Sequence, residues 1–208
     1  MNTPGLARRT TDHWSSAQKA IHWLTICAVT VTVPAGFLMS YTFGPSFHDA
    51  NILKLHILAS QIHHTVGFLL LATGFIWLLR KVSMPRPPLP QSLPRWQKPA
   101  AMAAQGLLLL LLILIPWSGW TALSALADSA AYGPTHMWFF STDRLLPRIW
   151  TPLSATDPRG YGRFAKLHIW LLIIGAAVVT LHIGAALWHH FIGRDNLLRR
   201  MWPLTEKH

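Results

Sequence analysis

The sequence predicts an all-α fold, an integral-membrane four-helix bundle of up-down-up-down topology. Three observations carry that expectation. Hydrophobic residues make up 51% of the 208 positions and charged residues only 12%. The apolar residues are gathered into four runs, each long enough to cross the roughly 30 Å hydrocarbon core of a bilayer. Basic residues cluster at the ends of those runs, where orientation signals and lipid phosphates are met. A net charge of +11 would suggest nucleic-acid binding in a soluble protein, but no recognition motif accompanies it, so no nucleic-acid partner is expected. The whole chain, 1–208, is expected to be a single membrane domain.

Taken in order, a polar basic tail precedes a first helix expected over about 20–41, IHWLTICAVTVTVPAGFLMSY, with a kink at Pro34. That run lacks the usual small-residue cleavage site, so it is expected to be a retained helix. The segment FGPSFHDANILK is expected to be a short loop. A second helix over about 55–80 ends on Arg80 and Lys81, and MPRPPLPQSLPRWQKP reads as an extended, partly polyproline linker. The third helix, about 100–126, holds no histidine and no charge, and Pro116 should kink it. Residues 127–163 form the longest connection, rich in aromatics (Trp138, Phe139, Phe140, Trp150) and arginines. A connection of that length is usually functional or partly structured. The fourth helix, about 164–192, runs into GRDNLLRRMWP, a basic tail expected at the membrane interface.

Orientation follows from the basic residues. The two tails and the second connection hold Arg8, Arg9, Arg80, Lys81, Arg194, Arg199 and others, whereas the first connection holds only Lys54. Both termini are therefore expected to be cytoplasmic, with the third connection on the outer side.

Cys27 is the only cysteine, which excludes a disulfide framework, a thiolate cluster or a C-x-x-C-H attachment. Histidine, with twelve copies, is the available metal ligand. His168 and His182 are fourteen residues apart on the fourth helix. That spacing sets them on one face about 21 Å apart along the axis. Depth pairs them with partners on other helices: His63 with His168 towards the outer side, and His22 with His182 towards the inner side. Two imidazoles facing each other across a bundle are the axial ligand set of a low-spin b-type haem. A lone intramembrane histidine often just bonds a carbonyl of a neighbouring helix. Four that pair by depth call for a common explanation. Gly36, Gly67 and Gly175 fall on the ligand faces, where a missing side chain leaves room for a flat macrocycle or for close helix packing.

The stretches IHW at 21–23, IHHTVG at 62–67 with the later PRPP, and LHIW…LHIGAALWHHFIGRDNLLRRMWP resemble the bacterial cytochrome b561 family of diheme four-helix membrane cytochromes. The resemblance covers every histidine-bearing helix. It implies two haem b groups with iron ligands His22, His63, His168 and His182, a bacterial inner (cytoplasmic) membrane location, and exchange of electrons with ubiquinone. It assigns the ligand of the His63–His64 pair to His63, and leaves His56, two turns earlier on a similar face, as the strongest internal rival. His48 and His136 are expected in loops. His189 and His190 match the family's paired histidines, and with Arg194 they are expected to meet quinone, a haem propionate or lipid phosphate. Two departures stand out: the third connection is long for the family, and Trp77 stands where some members carry arginine.

Two functions remain open on the sequence. Members resembling this chain include a superoxide:ubiquinone oxidoreductase, and Arg144, Arg148, Arg159, Arg163 and Lys166 could form a cationic funnel for an anion or else a solvated loop. The alternative is a haem-bearing membrane subunit relaying electrons to or from a periplasmic redox protein, docked on Trp138 to Trp150. Membrane lipids are partners in either case.

Overall fold

A computed structural model of the chain describes residues 14–83, 94–125, 138–139, 158–195 and 197–202. Within them the order is α1 (Ser16–Thr42), a 3-10 turn (Pro45–Phe47), α2 (Ala50–Ser83), α3 (Gln97–Ser124), α4 (Pro158–Phe191) and α5 (Leu197–Arg200). Four of these helices are long and apolar enough to cross a membrane, and there is no strand among the described residues.

Helices α1 and α2 begin earlier than their apolar runs because polar residues cap them. Ser15 and Gln18 form a capping box: the Gln18 amide donates to Ser15 Oγ and the Ser15 amide to Gln18 Oε1. Asp49 accepts from the amides of Asn51 and Ile52 at 2.7 and 3.1 Å, so α2 starts at Ala50 and takes in the stretch ANILK that was expected to be loop. Proline is tolerated at a first helical position, and α4 starts at Pro158, six residues before its expected start. Because α3 also ends two residues before its expected end, at Ser124, the third connection is shorter than expected by about four residues. Segment 84–93, with the PRPP motif, lies outside the described residues, as do His136 and all of the third connection between 126 and 157 except 138–139.

Helices α1 and α2 pack along their lengths, α3 packs on α4, and α2 joins the two hairpins through α3; α1 and α4 approach each other far less closely. The register is antiparallel throughout. Thr32 meets His63 and Met39 meets His56 across α1 and α2. Phe68 stacks edge-on against Trp120 across α2 and α3. Exposed Leu, Ile, Phe and Trp side chains run along all four long helices, the surface a hydrocarbon solvent would cover. The end of the bundle with the 3-10 turn is called upper, and the end with α5 lower.

At the lower end the tail folds back onto α1. Trp23 Nε1 donates to the Met201 carbonyl at 2.8 Å, and the Trp23 and Trp202 rings meet edge to face at 5.6 Å. The basic tail is thus a short helix fastened to the bundle.

Candidate functional site

The upper site is built by four helices. His63 projects from α2 and His168 from α4, with ring centroids 6.2 Å apart and ring planes at 85°. Two imidazole nitrogens each about 2.0 Å from one first-row metal, and roughly 1 Å from their own ring centres, would set the centroids about 6 Å apart. The residues present therefore fit a single iron between the two rings.

Both rings are held by helix backbone. His63 Nδ1 donates to the Thr32 carbonyl of α1 at 2.8 Å, and His168 Nδ1 donates to the Ile115 carbonyl of α3 at 2.8 Å. A carbonyl can only accept, so Nδ1 carries the proton in each ring and Nε2 presents its lone pair. Metal-bound histidines use this arrangement to fix tautomer and ring orientation. A hydroxyl accompanies each carbonyl: Thr32 Oγ1 lies 3.4 Å from His63 Nδ1, and Ser118 Oγ lies 3.1 Å from His168 Nδ1. Each hydroxyl donates elsewhere, Thr32 to the His63 carbonyl and Ser118 to the Ile115 carbonyl.

The two acceptor carbonyls precede a proline inside their helix by two residues and by one: Thr32 before Pro34, Ile115 before Pro116. Proline has no amide, so the carbonyls left without a ladder bond are those four residues earlier, Thr30 and Leu112, and the Thr32 and Ile115 carbonyls accept the imidazoles within that weakened turn. Each also precedes a glycine by four residues. A Cβ on Gly36 would lie 2.6 Å from His63 Cε1, and one on Gly119 would lie 3.0 Å from His168 Cε1. Gly36, expected to leave room for a macrocycle or for close packing, lets the His63 ring lie against α1.

The lower pair is different. His22 on α1 and His182 on α4 lie within electrostatic reach of each other, and both are half-buried. Neither side chain makes a hydrogen bond to another described residue. His22 does meet the neighbouring Trp23 ring edge-on at 6.1 Å.

The other singled-out residues fall as follows. No described residue lies within 4 Å of a Cβ placed on Gly67. Gly175 faces Ile115, whose Cδ1 would be 3.0 Å from an added Cβ, so this glycine serves α3–α4 packing. His56 is fully buried, with Nδ1 on the Met39 carbonyl at 3.0 Å and Thr42 Oγ1 at 3.1 Å. The ring it meets is Phe43, not a second histidine, among the described residues. His64 is buried and adjoins the His63 ring edge-on, and His48 ends the 3-10 turn.

At the lower end His189 Nδ1 and Asp195 Oδ2 are 2.6 Å apart. His190, Phe191, Arg194, Asp195 and Arg199 line a cleft there, with Arg194 in the left-handed region at φ 49°. Arg163 and Lys166 are exposed on α4. Arg144, Arg148, Trp150 and the side chain of Arg159 lie outside the described residues. Trp138, expected on a docking surface, packs against Phe68 at 5.2 Å, while the neighbouring Phe139 is exposed and its amide donates to Thr65 Oγ1.

Sequence reasoning missed Thr32, Ile115, Ser118, Gly119 and Asp195. A usable signal was present for the α3 group. Both TVPAG at 32–36 and IPWSG at 115–119 place a proline and a glycine within one turn inside an apolar run.

The prokaryotic cytochrome b561 family model matches residues 13–204. The chain is 27% identical over 192 residues to cytochrome b561 homolog 1 of Escherichia coli K12, covering 92% of this chain and 98% of that protein. It is 30% identical over 197 residues to cytochrome b561 homolog 2 of the same strain, covering 92% of each. The chain belongs to the prokaryotic cytochrome b561 family of haem b-binding membrane electron-transfer proteins.

Proposed function

We propose that this protein is a two-haem wire that passes electrons from a donor at its upper face to ubiquinone, with His63 and His168 as ligands of one iron and His22 and His182 as ligands of the other. The observation that carries the reading is the facing pair His63 and His168, with both Nδ1 atoms committed to carbonyls and both Nε2 atoms left for a metal. Haem b, when bound, supplies reversible one-electron chemistry between ferric and ferrous iron. The chain supplies the rest. His63 with His168, and His22 with His182, would hold the two irons and leave them no position for oxygen, and the apolar helices keep the path dry.

In the bacterial inner membrane the upper face is outward and both termini are cytoplasmic. Superoxide is a fitting donor for that face. Two superoxide anions each release one electron and become dioxygen, and the two electrons with two protons convert ubiquinone to ubiquinol. Arg163 and Lys166, exposed near the start of α4, would attract the anion. At the lower end, the His189–Asp195 pair is a proton-handling group suited to quinone reduction, with His190 and Arg194 beside it for a quinone oxygen or a haem propionate.

The test is a dithionite-reduced minus oxidised spectrum together with haem content, expected to give b-type bands and about two haems per chain. Generated superoxide should reduce the haems, and added dismutase should abolish that reduction. One haem or none in fully loaded protein would end the two-haem reading. Inertness to superoxide would favour a second reading, a relay subunit for a periplasmic redox protein. Its support is the exposed Phe139 beside Trp138 and Thr65, close in sequence to His63. Copurification of a stoichiometric partner would establish that role.

A further inference from the structure

His63 and His168 sit on different helices and face opposite ways, yet both are seated in the same construction. In each case a neighbouring helix contributes a carbonyl to Nδ1, a hydroxyl beside it, a proline within two residues of that carbonyl, and a glycine four residues after it. On α1 the set is Thr32, Pro34 and Gly36; on α3 it is Ile115, Pro116, Ser118 and Gly119. His22 and His182 have no such seat among the described residues.

We propose that Gly36 and Gly119 are positioning residues that make the upper pair a preformed two-imidazole site, which takes haem first and holds it longer than the lower pair. The inference rests on the reading of the four histidines as iron ligands. Its physical basis is preorganisation. A site whose tautomers and ring orientations are already set spends less of its binding free energy on ordering side chains. Both upper rings are in that state, 6.2 Å apart with Nε2 free. The lower rings must lose tautomer and rotamer freedom when the metal arrives.

The glycines are what allow the upper state. The His63 ring is confined between the Thr32 carbonyl on one side and His168 on the other. An alanine methyl 2.6 Å from Cε1 and 2.7 Å from Nδ1 cannot be relieved by a small shift, so the ring must leave its carbonyl. At Gly119 the corresponding distances are 3.0 and 3.1 Å, and a displacement of a few tenths of an ångström suffices. The two substitutions should therefore be graded, Gly36→Ala above Gly119→Ala.

The experiment uses the full-length haem-loaded protein in detergent, with excess apomyoglobin as haem acceptor, and follows release at the two sites by visible and ferric low-spin spectra. The single variants His63→Ala and His22→Ala assign the two species. Two-phase release is expected, with the upper haem slower. Gly36→Ala should accelerate only that slow phase by about 10–100-fold, the usual cost of losing an outer-shell partner of a metal-bound histidine. Gly119→Ala should accelerate it less, and it decides the matter if Gly36→Ala does not accumulate. Gly106→Ala, on α3 with only an ordinary contact to Lys81 Nζ at 3.7 Å, should change neither phase. A structural role alone would leave the ferric signal in place; ring displacement in Gly36→Ala should move the signal of the upper haem and leave that of the lower.

Equal release from both sites, faster release from the upper site, or a slow phase unmoved by either glycine variant would overturn the inference while leaving the ligand reading intact. Haem content unchanged in both His63→Ala and His22→Ala would instead sink the ligand reading.

Discussion

The upper and lower halves of the bundle each bring one histidine from α4 towards one from the first hairpin, and they treat the pair differently. In the upper half His63 and His168 are hydrogen-bonded to the Thr32 and Ile115 carbonyls, and each ring rests against a glycine. In the lower half His22 on α1 and His182 on α4 lie within electrostatic reach of each other, and neither side chain is hydrogen-bonded to another described residue. All four side chains are half-buried by solvent exposure, and the upper pair is set deeper among protein atoms than the lower. The difference lies in the helices behind the histidines. An upper ligand is held by the backbone of a second helix, α1 or α3, next to a proline, whereas no described residue hydrogen-bonds the side chain of a lower one.

The largest expected effect tests the pairing. His63→Ala and His168→Ala should each lower haem content from about two to about one per chain and should remove the same spectral species. His22→Ala and His182→Ala should remove the other species. Loss of a mixed or shared signal would break the division into two halves.

Next in size come the glycines. Gly36→Ala is expected to weaken haem retention by about 10–100-fold, measured as release to apomyoglobin, and Gly119→Ala by a smaller factor. Among the described residues no glycine contact of this kind is found at the lower pair, so the lower haem is an internal control in each variant.

A smaller effect probes the lower end. Asp195→Asn removes the carboxylate from His189 Nδ1, and quinone reduction should fall several-fold with both haems still bound. An unchanged rate of quinone reduction would remove the dyad from the electron route.

The smallest expected effect on haem belongs to His56. Its Nδ1 has the same kind of seat as His63, on a carbonyl of α1 seven residues further along, but no histidine opposes it among the described residues. His56→Ala should leave haem content at the wild-type value while costing about 2 kcal/mol or more in stability, because it empties a fully buried position.

Much of the architecture was readable beforehand because long apolar runs have one main use in a chain this poor in charge. The errors fall at helix ends, where hydropathy is silent and caps decide. Ser15 with Gln18, and Asp49, draw polar residues into α1 and α2. The histidine pairs followed from depth along the helices, and the geometry brings His63 to His168 as that argument expects. What stood behind them did not follow. A backbone carbonyl has no residue type, so nothing in the letter Ile115 marks it as the acceptor for His168. The third apolar run holds no histidine or charge, yet it supplies the Ile115 carbonyl, Ser118 and Gly119. Gly36 was singled out for its missing side chain, and an imidazole of the protein lies against that space.

The most direct measurement is the ferric low-spin electron paramagnetic resonance spectrum of the His22→Ala variant, which leaves the upper pair as the only complete ligand set. Ring planes at 85° predict a single, highly anisotropic low-spin signal from about one haem per chain. A high-spin signal, or no bound haem, would contradict the claim that His63 and His168 form a ready-made iron site.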